Sequence, residues 1–508
     1  MEETNNVARG TFQITSTNAI EYIVIGLFYV VVTKTNALTP ADIGVLSVLT
    51  FISSTLLLST LTLPTALTKF VSEHLGRNES QKAASVQKTL TRTGAVLSLA
   101  GLAIATILSA SLSKYFWGTT ENALLVILIS ISAFLMNLMT LYNAGLRALR
   151  LFGKMALVTF VYILSSRIIA VILALLDLRV FGVVTGYIIG SFLGLAAAII
   201  FARGNFSNSS NNAPLRPLLQ YSLPLFLSSL ALLISSQADI IVLVSITSDY
   251  ALVGIYSIAV RSLLALTVIW QPIMVTIFPL VSARFGLQNP TGISNALKMT
   301  SRYLAYTIIP ACVLLALVAP TALTVFYGPS YVSGATSLAI LAVSIIIHAV
   351  FTLLTTTLTA IGKTKKVLQI NLITAFFTIA LLLSLVPIFE AVGAAVTRLT
   401  VQAIGLVLGT YVLGRYVNVH LDWEALWKST VASIITIPFL FTLESSLPKR
   451  FPSFQVLAIE ILTAGFIYLA SLYVLKALNS QDFELLKQSF PKSLSKFINV
   501  LQNVMTRK

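Results

Sequence analysis

Residues 63–73 read Leu-Pro-Thr-Ala-Leu-Thr-Lys-Phe-Val-Ser-Glu and follow an apolar stretch long enough to cross a membrane. About 215 residues later, residues 278–286 read Phe-Pro-Leu-Val-Ser-Ala-Arg-Phe-Gly after another such stretch. A Gly-Lys pair then occurs at residues 153–154 and again at residues 362–363, at a similar distance from each Pro. The two series predict two parallel, pseudo-symmetric halves, an arrangement that transporters use for alternating access.

The composition of the chain is that of a membrane protein. Of its 508 residues, 57% are hydrophobic and only 10% are charged, and the mean hydropathy is +0.92. A helix needs about 20 apolar residues to cross the hydrocarbon core. We therefore predict an all-α polytopic membrane protein with about 14 transmembrane helices. The predicted spans are residues 12–33, 43–63, 93–112, 123–142, 155–176, 182–202, 222–246, 252–277, 303–323, 335–359, 367–387, 392–413, 425–443 and 455–475.

The net charge of +16 is unevenly distributed along the chain. Most Lys and Arg residues fall in the segments that lie inside if the N-terminus is inside, which is the positive-inside pattern. The charge therefore indicates orientation rather than a nucleic-acid partner. We expect a multi-pass monomer in the plasma membrane with both termini in the cytoplasm. The single Cys312 excludes an internal disulfide and a cysteine-based metal site, and we expect neither a metal nor a cofactor.

The polar run at residues 204–212, Gly-Asn-Phe-Ser-Asn-Ser-Ser-Asn-Asn, divides the chain. Such a run buries no apolar surface and predicts a flexible linker. We expect two pseudo-symmetric six-helix lobes around a central cavity, followed by two extra C-terminal helices. The predicted parts are an N-terminal lobe (1–212), a C-terminal lobe (213–420), two additional transmembrane helices (421–478) and a cytoplasmic amphipathic tail (479–508).

Two local patterns predict further details of the packing. Residues 64–92 are basic and helix-compatible, so we expect a helix that lies on the membrane surface. In the sixth span, Gly186, Gly190 and Gly194 recur at every fourth residue. Small residues at this spacing predict close approach of a neighbouring helix.

The ionisable residues inside the predicted spans are the candidate site. Inserting an Arg or Asp at the bilayer centre costs about 2.5–3.5 kcal/mol, so each one should face a wet cavity or a partner. Arg167 and Arg261 lie near the middle of the fifth and eighth spans, and Arg398 lies nearer the end of the twelfth. Glu21 and Asp239 lie on the first and seventh spans, separated by nearly the repeat offset.

The chemistry of these side chains suggests an anionic ligand. Guanidinium groups offer fixed positive charge and forked donors, which suit a phosphate or pyrophosphate. We therefore predict that Arg167, Arg261 and Arg398 bind such a headgroup. Glu21 and Asp239 would be ion-coupling sites or charge partners. For each Arg the alternative is a buried pair with a carboxylate.

Several short motifs carry a family resemblance. Besides residues 63–73 they include residues 145–154 (Gly-Leu-Arg-Ala-Leu-Arg-Leu-Phe-Gly-Lys), 253–256 (Val-Gly-Ile-Tyr), 328–331 (Gly-Pro-Ser-Tyr) and 360–363 (Ala-Ile-Gly-Lys). In their order and spacing they resemble the multidrug, oligosaccharidyl-lipid and polysaccharide exporter superfamily, in particular its polysaccharide and lipid-linked oligosaccharide flippase branch. The resemblance implies two six-helix lobes around a cationic cavity that admits a glycan and its phosphates.

The favoured function is therefore a flippase. It would move a lipid-linked oligosaccharide, carried on polyprenyl or dolichyl phosphate or pyrophosphate, from the cytoplasmic to the outer leaflet for cell-surface polysaccharide or glycoprotein assembly. Its partners would be this substrate, membrane lipids and a coupling ion, H⁺ or Na⁺. The alternative is a cation-coupled exporter of amphipathic small molecules, which would favour carboxylates over Arg in the cavity.

A third class, a membrane enzyme acting on lipid-linked substrates, is disfavoured. Such chemistry needs paired carboxylates or a metal site near the membrane face. The outer-loop residues Asp249 and Glu390 have no acidic neighbour in the sequence. We therefore expect no catalytic residue.

Overall fold

The computed structural model describes residues 2–203, 212–446 and 453–477. In these ranges the backbone is helical almost throughout and forms no strand, which confirms the predicted all-α class. The predicted linker at residues 204–212, except for its last residue, lies outside the described residues. The predicted amphipathic tail, residues 479–508, lies outside them as well.

Fifteen α-helices run through the described residues. A short π-helical segment (Ala174–Leu178) joins the fifth to the sixth, and a 3-10 turn (Pro329–Gly334) precedes the twelfth. The α-helices are α1 (Glu2–Lys34), α2 (Pro40–Gly76), α3 (Ser80–Trp117), α4 (Ala123–Ala148), α5 (Phe152–Leu173), α6 (Arg179–Ala202), α7 (Leu215–Thr247), α8 (Tyr250–Ser262), α9 (Leu264–Gly286), α10 (Pro290–Leu317), α11 (Ala319–Phe326), α12 (Ala335–Ala360), α13 (Thr364–Gly414), α14 (Trp423–Ser446) and α15 (Ser453–Val474).

Twelve helical stretches in the described part of the chain are long and apolar enough to cross a membrane. Two of them, Phe152–Ala202 and Thr364–Gly414, contain 51 residues each, whereas one span needs only about 20. Each stretch reverses at a residue with a positive φ, which is 65° at Asp177 and 48° at Glu390. Both reversals lie between two predicted spans. When each of these two long stretches is counted as a hairpin of two spans, the twelve stretches correspond to fourteen spans, the number that the sequence predicts.

The hairpin of α5 and α6 is held together by the glycines of α6. Gly186 lies against Ala170, and Gly190 lies against Ser166. A Cβ atom at either glycine would overlap the backbone of α5. Since only glycine permits this approach, the four-residue repeat packs α6 on the preceding helix within the same unit.

The region around Pro64 differs from its prediction. α2 continues through Pro64, and residues 64–92 form the end of α2, a short turn and the start of α3. The expected separate surface helix is therefore wrong. The extension of α2 packs on α4, where the Thr68 hydroxyl donates to the Ala144 carbonyl at 3.3 Å. A neighbouring helix thus supports the chain beyond the proline, which membrane helices tolerate under such conditions.

The contacts divide the chain into two compact units. The first contains the described residues up to Val268 together with Leu368–Val401. The second contains Ile269–Val367 together with the described residues from Gln402 onward. This grouping follows proximity and does not test where an internal repeat begins. The boundaries of the lobes at residues 212 and 420 therefore stay predictions.

In the first unit, α2 is the central packing element. It contacts α3, α4, α7 and α8. The contact with α8 is especially close. A Cβ atom at Gly254 would overlap the backbone carbonyl of Pro40, and a Cβ atom at Gly44 would overlap the backbone carbonyl of Tyr250. This contact fixes α8 against the start of α2, and α8 carries one of the candidate arginines.

In the second unit, the two C-terminal helices pack on α10 through buried polar groups. The Ser429 hydroxyl donates to the Ala305 carbonyl at 2.7 Å and lies 2.9 Å from the Tyr468 hydroxyl. At one end of the contact, Arg302 and Asp422 form an ion pair at 3.3 Å. Helices α14 and α15 are therefore integral parts of this unit.

Candidate functional site

The five predicted site residues lie on five different helices. Glu21 is on α1, Arg167 on α5, Asp239 on α7, Arg261 on α8 and Arg398 on the second half of α13. All five belong to the first compact unit. The structure gathers four of them into two groups, because Arg167 lies near Arg261 and Asp239 contacts Arg398.

The first group is an arginine–aromatic cluster formed by Phe28, Tyr29, Arg167, Tyr187 and Arg261. The Arg261 Cζ atom lies 4.2 Å from the centre of the Tyr29 ring. The Arg167 Cζ atom lies 4.3 Å from the Tyr187 ring and 5.3 Å from the Phe28 ring. Phe28 and Tyr29 meet edge to face at 4.9 Å. Three helices and the end of a fourth thus place two guanidinium groups on one set of rings.

Local structure explains why Arg261 reaches this cluster. Helix α8 starts at the Asp249 side chain, which accepts hydrogen bonds from the Ala251 and Leu252 amides at 2.9 and 3.0 Å. The Asp249 carboxylate therefore serves as a helix cap. The helix ends at Ser262, so Arg261 lies in its last turn.

The cluster contains two positive charges that no carboxylate neutralises at close range. Among the described residues, no carboxylate oxygen lies within 4.0 Å of Arg167 or Arg261. Arg167 Nε and Nη1 and Arg261 Nε are buried and have no hydrogen-bond partner there. A cation over an aromatic face gains about 0.5–2 kcal/mol, whereas insertion of an Arg costs about 2.5–3.5 kcal/mol. The rings therefore offset only part of the cost of burying these charges.

A cavity of about 550 Å³, lined by apolar and polar side chains, lies among α1, α2, α4 and α5 of the same unit. Glu21 lines it on α1, seven residues before Phe28, and Tyr162 lines it on α5, five residues before Arg167. At a rise of 1.5 Å per residue, the cluster lies about 7–10 Å further along both helices. The polar lining residues are Thr17, Asn18, Glu21, Thr65, Asn137, Thr140, Asn143, Arg147, Thr159 and Tyr162.

Two charged side chains of opposite sign face this cavity. Glu21 is partly buried, and Arg147 is exposed in the last turn of α4. Neither has an oppositely charged partner within 4.0 Å in the described ranges. Helices α1 and α5, which carry Glu21 and Arg167, contact each other. Most of the remaining polar lining consists of neutral hydroxyl and amide groups.

The two amides of α4 differ in what they contact. Asn137 is 2% exposed. Its Nδ2 atom donates to the Leu56 carbonyl at 3.3 Å, and its oxygen accepts from the Thr60 hydroxyl. The buried Asn143 Oδ1 atom has no hydrogen-bond partner among the described residues. Asn137 therefore ties α4 to α2, while Asn143 retains an acceptor at the cavity.

Sequence reasoning missed Arg147, Asn143 and the three aromatic residues of the cluster. In the sequence, Arg147 is one of the basic residues near the ends of predicted spans, and these residues indicate only the orientation of the chain in the membrane. The signal for Asn143 was an amide within an otherwise apolar fourth helix. Phe28 and Tyr29 looked like ordinary apolar residues of a first span, because nothing in the sequence pairs them with an arginine on another helix.

The second group is a buried aspartate–arginine pair. Arg398 Nε donates to Asp239 Oδ2 at 2.6 Å, and the Tyr256 hydroxyl donates to the same oxygen at 2.6 Å. The Ile240 amide donates to Oδ1 at 3.0 Å, and Arg398 Nη2 donates to the Ser236 carbonyl at 2.6 Å. Asp239 is 3% exposed. Arg398 thus has the carboxylate partner that the sequence left open as an alternative to headgroup binding.

The acidic residue Glu390 also has a structural position. Glu390 occupies the reversal of α13, where its φ is positive. Within the described residues, no group of three or more His, Cys, Asp or Glu side chains is arranged to hold a metal ion.

The chain is similar to known proteins in both sequence and fold. A family model described as "Polysaccharide biosynthesis protein" matches residues 7–285, which is more than half of the chain. A search of curated proteins finds no match. Among solved structures, the lipid II flippase MurJ in an inward closed conformation is similar with a TM-score of 0.68 and 17% identity, covering 92% of this chain and 98% of that chain.

Two transporters of another type are similar as well. The MATE transporter VcmN of Vibrio cholerae has a TM-score of 0.60 and 16% identity, covering 82% of this chain and 99% of its own. An inward-facing multidrug resistance MATE family transporter of the MOP superfamily has a TM-score of 0.60 and 16% identity, covering 78% and 95%. At these identities the likeness shows a common fold, and the predicted resemblance to this superfamily is confirmed.

Proposed function

Because this chain belongs to the polysaccharide biosynthesis protein family, we propose that it is a flippase for a lipid-linked oligosaccharide. It moves the glycan, carried on a polyprenyl or dolichyl phosphate or pyrophosphate, from the cytoplasmic to the outer leaflet. The driving motion is alternating access of the two predicted lobes. We assign the protein to the plasma membrane, as a monomer with both termini in the cytoplasm. It makes and breaks no covalent bond.

The observation that carries this proposal is the pair of guanidinium groups in the arginine–aromatic cluster. Arg167 and Arg261 are half-buried over aromatic rings, and several of their N–H groups are buried without a hydrogen-bond partner among the described residues. A phosphate or pyrophosphate that leaves water needs such fixed charge and several N–H donors. The rings offset only part of the free-energy cost of burying these two charges. Binding of an anionic headgroup would offset the remainder.

The neighbouring cavity supports a glycan as the other part of the substrate. Its neutral hydroxyl and amide groups match the hydrogen-bonding groups of a sugar. The Asn143 acceptor lies among them, and Arg147 provides a cation at the helix end. We infer that the glycan occupies the cavity and that Arg147 attracts the phosphates as they enter. The headgroup then moves about 7–10 Å toward the cluster, the distance given by the helix rise.

The contacts of Arg398 favour a structural role for that residue. Its charge is balanced by Asp239, and its donors are directed to that carboxylate and to a backbone carbonyl. Binding a headgroup would require breaking this pair. We therefore assign headgroup binding to Arg167 and Arg261 and retain Arg398 only as the charge partner of Asp239.

Glu21 is the better candidate for coupling to an ion. The Asp239 carboxylate already accepts hydrogen bonds from Arg398, Tyr256 and a backbone amide. Glu21 faces the cavity and has no basic partner within 4.0 Å in the described part of the chain. A proton or Na⁺ that binds Glu21 would change the charge felt by Arg167. A headgroup bound at Arg167 and an ion bound at Glu21 would then affect each other's binding through their charges.

Reconstitution tests the proposal directly. A fluorescent polyprenyl-pyrophosphate oligosaccharide is placed in proteoliposomes with wild-type protein, Arg167→Gln, Arg261→Gln or the matched surface control Lys365→Gln. We expect each cluster variant to lower the transfer rate at least roughly tenfold, the loss expected when about 1.4 kcal/mol of headgroup binding is removed. Lys365→Gln should transfer at the wild-type rate. Thermal unfolding checks that every variant is folded.

The same liposomes separate the flippase from the alternative. A cation-coupled exporter of amphipathic small molecules would move a cationic dye, would depend on Glu21 and would be indifferent to Arg167→Gln. Loss of dye export in Glu21→Gln, together with normal transfer in both arginine variants, would overturn the flippase proposal. A flippase coupled through Glu21 should lose its response to an imposed H⁺ or Na⁺ gradient in Glu21→Gln.

A further inference from the structure

A second concave site lies on the first unit, apart from the cavity lined by Glu21. It is a groove of about 520 Å³ between α3 and α6, and its floor is formed by α4 residues Leu138 and Tyr142. Both α3 and α6 pack on α4. Among the described residues, none lines both this groove and the cavity that Glu21 lines. The proposed transport cycle assigns it no role.

One end of the groove is strongly basic. Lys88 and Arg92 lie one turn apart on α3, and Arg203 follows the last residue of α6. None of the described residues that line the groove is acidic. Arg92 is exposed and has no carboxylate within 4.0 Å in the described ranges. Three cations from two helices therefore converge at this end of the groove.

The other end of the groove is apolar. It is lined by Leu138 on α4 and by Leu195 and Ile199 on α6. These apolar side chains lie next to the basic residues in the direction of the helix axes. The groove thus joins a cationic end to an apolar wall, a combination that a small soluble anion does not use.

The exposed surface of both helices shows where this groove meets the membrane. On α3, exposed apolar side chains begin at Val96, one turn after Arg92. On α6 they end at Ile200, one turn before Arg203, and both Val96 and Ile200 are 61% exposed. Large exposed apolar side chains in a membrane protein face acyl chains. The basic end of the groove therefore lies at the level of the lipid headgroups.

We propose that this groove is a binding site for an anionic phospholipid of the surrounding leaflet. The phosphate and the headgroup charge contact Lys88, Arg92 and Arg203, and one acyl chain lies along Leu195 and Ile199. Basic pockets between membrane helices at headgroup level recognise anionic lipids in this way. The charge complementarity selects phosphatidylglycerol over phosphatidylcholine. This proposal does not depend on which substrate the protein transports.

The test uses the purified full-length protein and measures lipid binding by native mass spectrometry. Phosphatidylglycerol and phosphatidylcholine are titrated against wild-type protein and the triple variant Lys88→Gln, Arg92→Gln, Arg203→Gln. The matched control is Arg216→Gln, Lys298→Gln, Lys365→Gln, which removes three exposed charges outside the groove. Each basic residue near a headgroup contributes about fivefold, so the groove variant should lose roughly 100-fold in affinity for phosphatidylglycerol.

The control variant should bind phosphatidylglycerol within about twofold of wild type, because it keeps all three groove cations. Arg92→Gln alone should lose about fivefold. An equal loss in the control variant would show a general surface-charge effect and would overturn the proposal. Equal affinity of wild type for the two lipids would overturn it too, as would displacement of phosphatidylglycerol by millimolar inorganic phosphate.

Discussion

Two arginine sites in the first unit differ in how their charge is compensated. In the aspartate–arginine pair, the Arg398 guanidinium donates to a carboxylate that is itself held by Tyr256 and a backbone amide. In the arginine–aromatic cluster, Arg167 and Arg261 lie over rings and have no carboxylate within 4.0 Å among the described residues. Both sites hold half-buried guanidinium groups on helices that are apolar enough to span a membrane.

The difference separates a charge used for structure from a charge available for a ligand. A paired guanidinium has little to gain from an added anion, because its partner must first be displaced. A guanidinium on aromatic rings still carries an uncompensated cost, which an anionic headgroup would lower. The number of buried arginines is therefore less informative than the partner of each one.

The largest expected effect comes from breaking the aspartate–arginine pair. Asp239→Asn leaves the Arg398 charge buried without a carboxylate, and such changes cost about 3–5 kcal/mol. We expect a corresponding drop in the free energy of unfolding, measured by denaturant titration of the purified protein. Arg398→Gln should cost a similar amount. The double variant should recover part of the loss, since it leaves no uncompensated charge. Additive losses in the double variant would show that the two residues act independently.

An intermediate effect is expected from the arginine–aromatic cluster. A double-mutant cycle of Tyr29→Leu and Arg261→Met isolates the contact between ring and guanidinium. We expect a coupling energy of about 0.5–2 kcal/mol in the free energy of unfolding. Tyr29→Phe is the matched control, because it keeps the ring and should preserve the coupling to Arg261. A coupling near zero would mean that the ring and the cation are neighbours without mutual stabilisation.

The smallest effect is expected at a carboxylate outside the spans. Lys82 and His74 lie 2.8 and 2.7 Å from Glu79 and hold the pKa of its carboxyl below the usual range, with the Lys82 hydrogen bond as the main cause. Because the folded-state pKa is lowered, this pair stabilises the fold above the ordinary carboxyl pKa. The contribution is lost as the pH falls through the lowered pKa.

Thermal unfolding of wild type and Glu79→Gln at neutral and acidic pH measures this contribution. The two midpoints should differ slightly at neutral pH and converge in acid. Solvent screening keeps the difference far below that of Asp239→Asn. A difference that persists unchanged in acid would assign the effect to packing rather than to the charge of Glu79.

The sequence was sufficient for the fold class and for the approximate positions of the spans. Long apolar runs and the spacing of the glycines on α6 are local signals, and each one corresponds to a helix or to the contact of α6 with α5. Pro64 was misread, because a proline ends an isolated helix, whereas α2 continues with support from α4. The two reversals, at Asp177 and Glu390, fell between predicted spans, although each backbone remains helical on both sides.

The sequence by itself determined that the chain is a bundle of membrane-spanning helices with a few ionisable groups inside them. Lipid imposes that result, because every apolar run must be long enough to cross and must satisfy its own backbone. Only the tertiary structure decided which charges are paired. Asp239 and Arg398 are 159 residues apart, and Tyr29 and Arg261 lie on helices even more widely separated in sequence. Contacts between distant helices depend on packing, so no local pattern distinguishes a paired arginine from one that lies on aromatic rings.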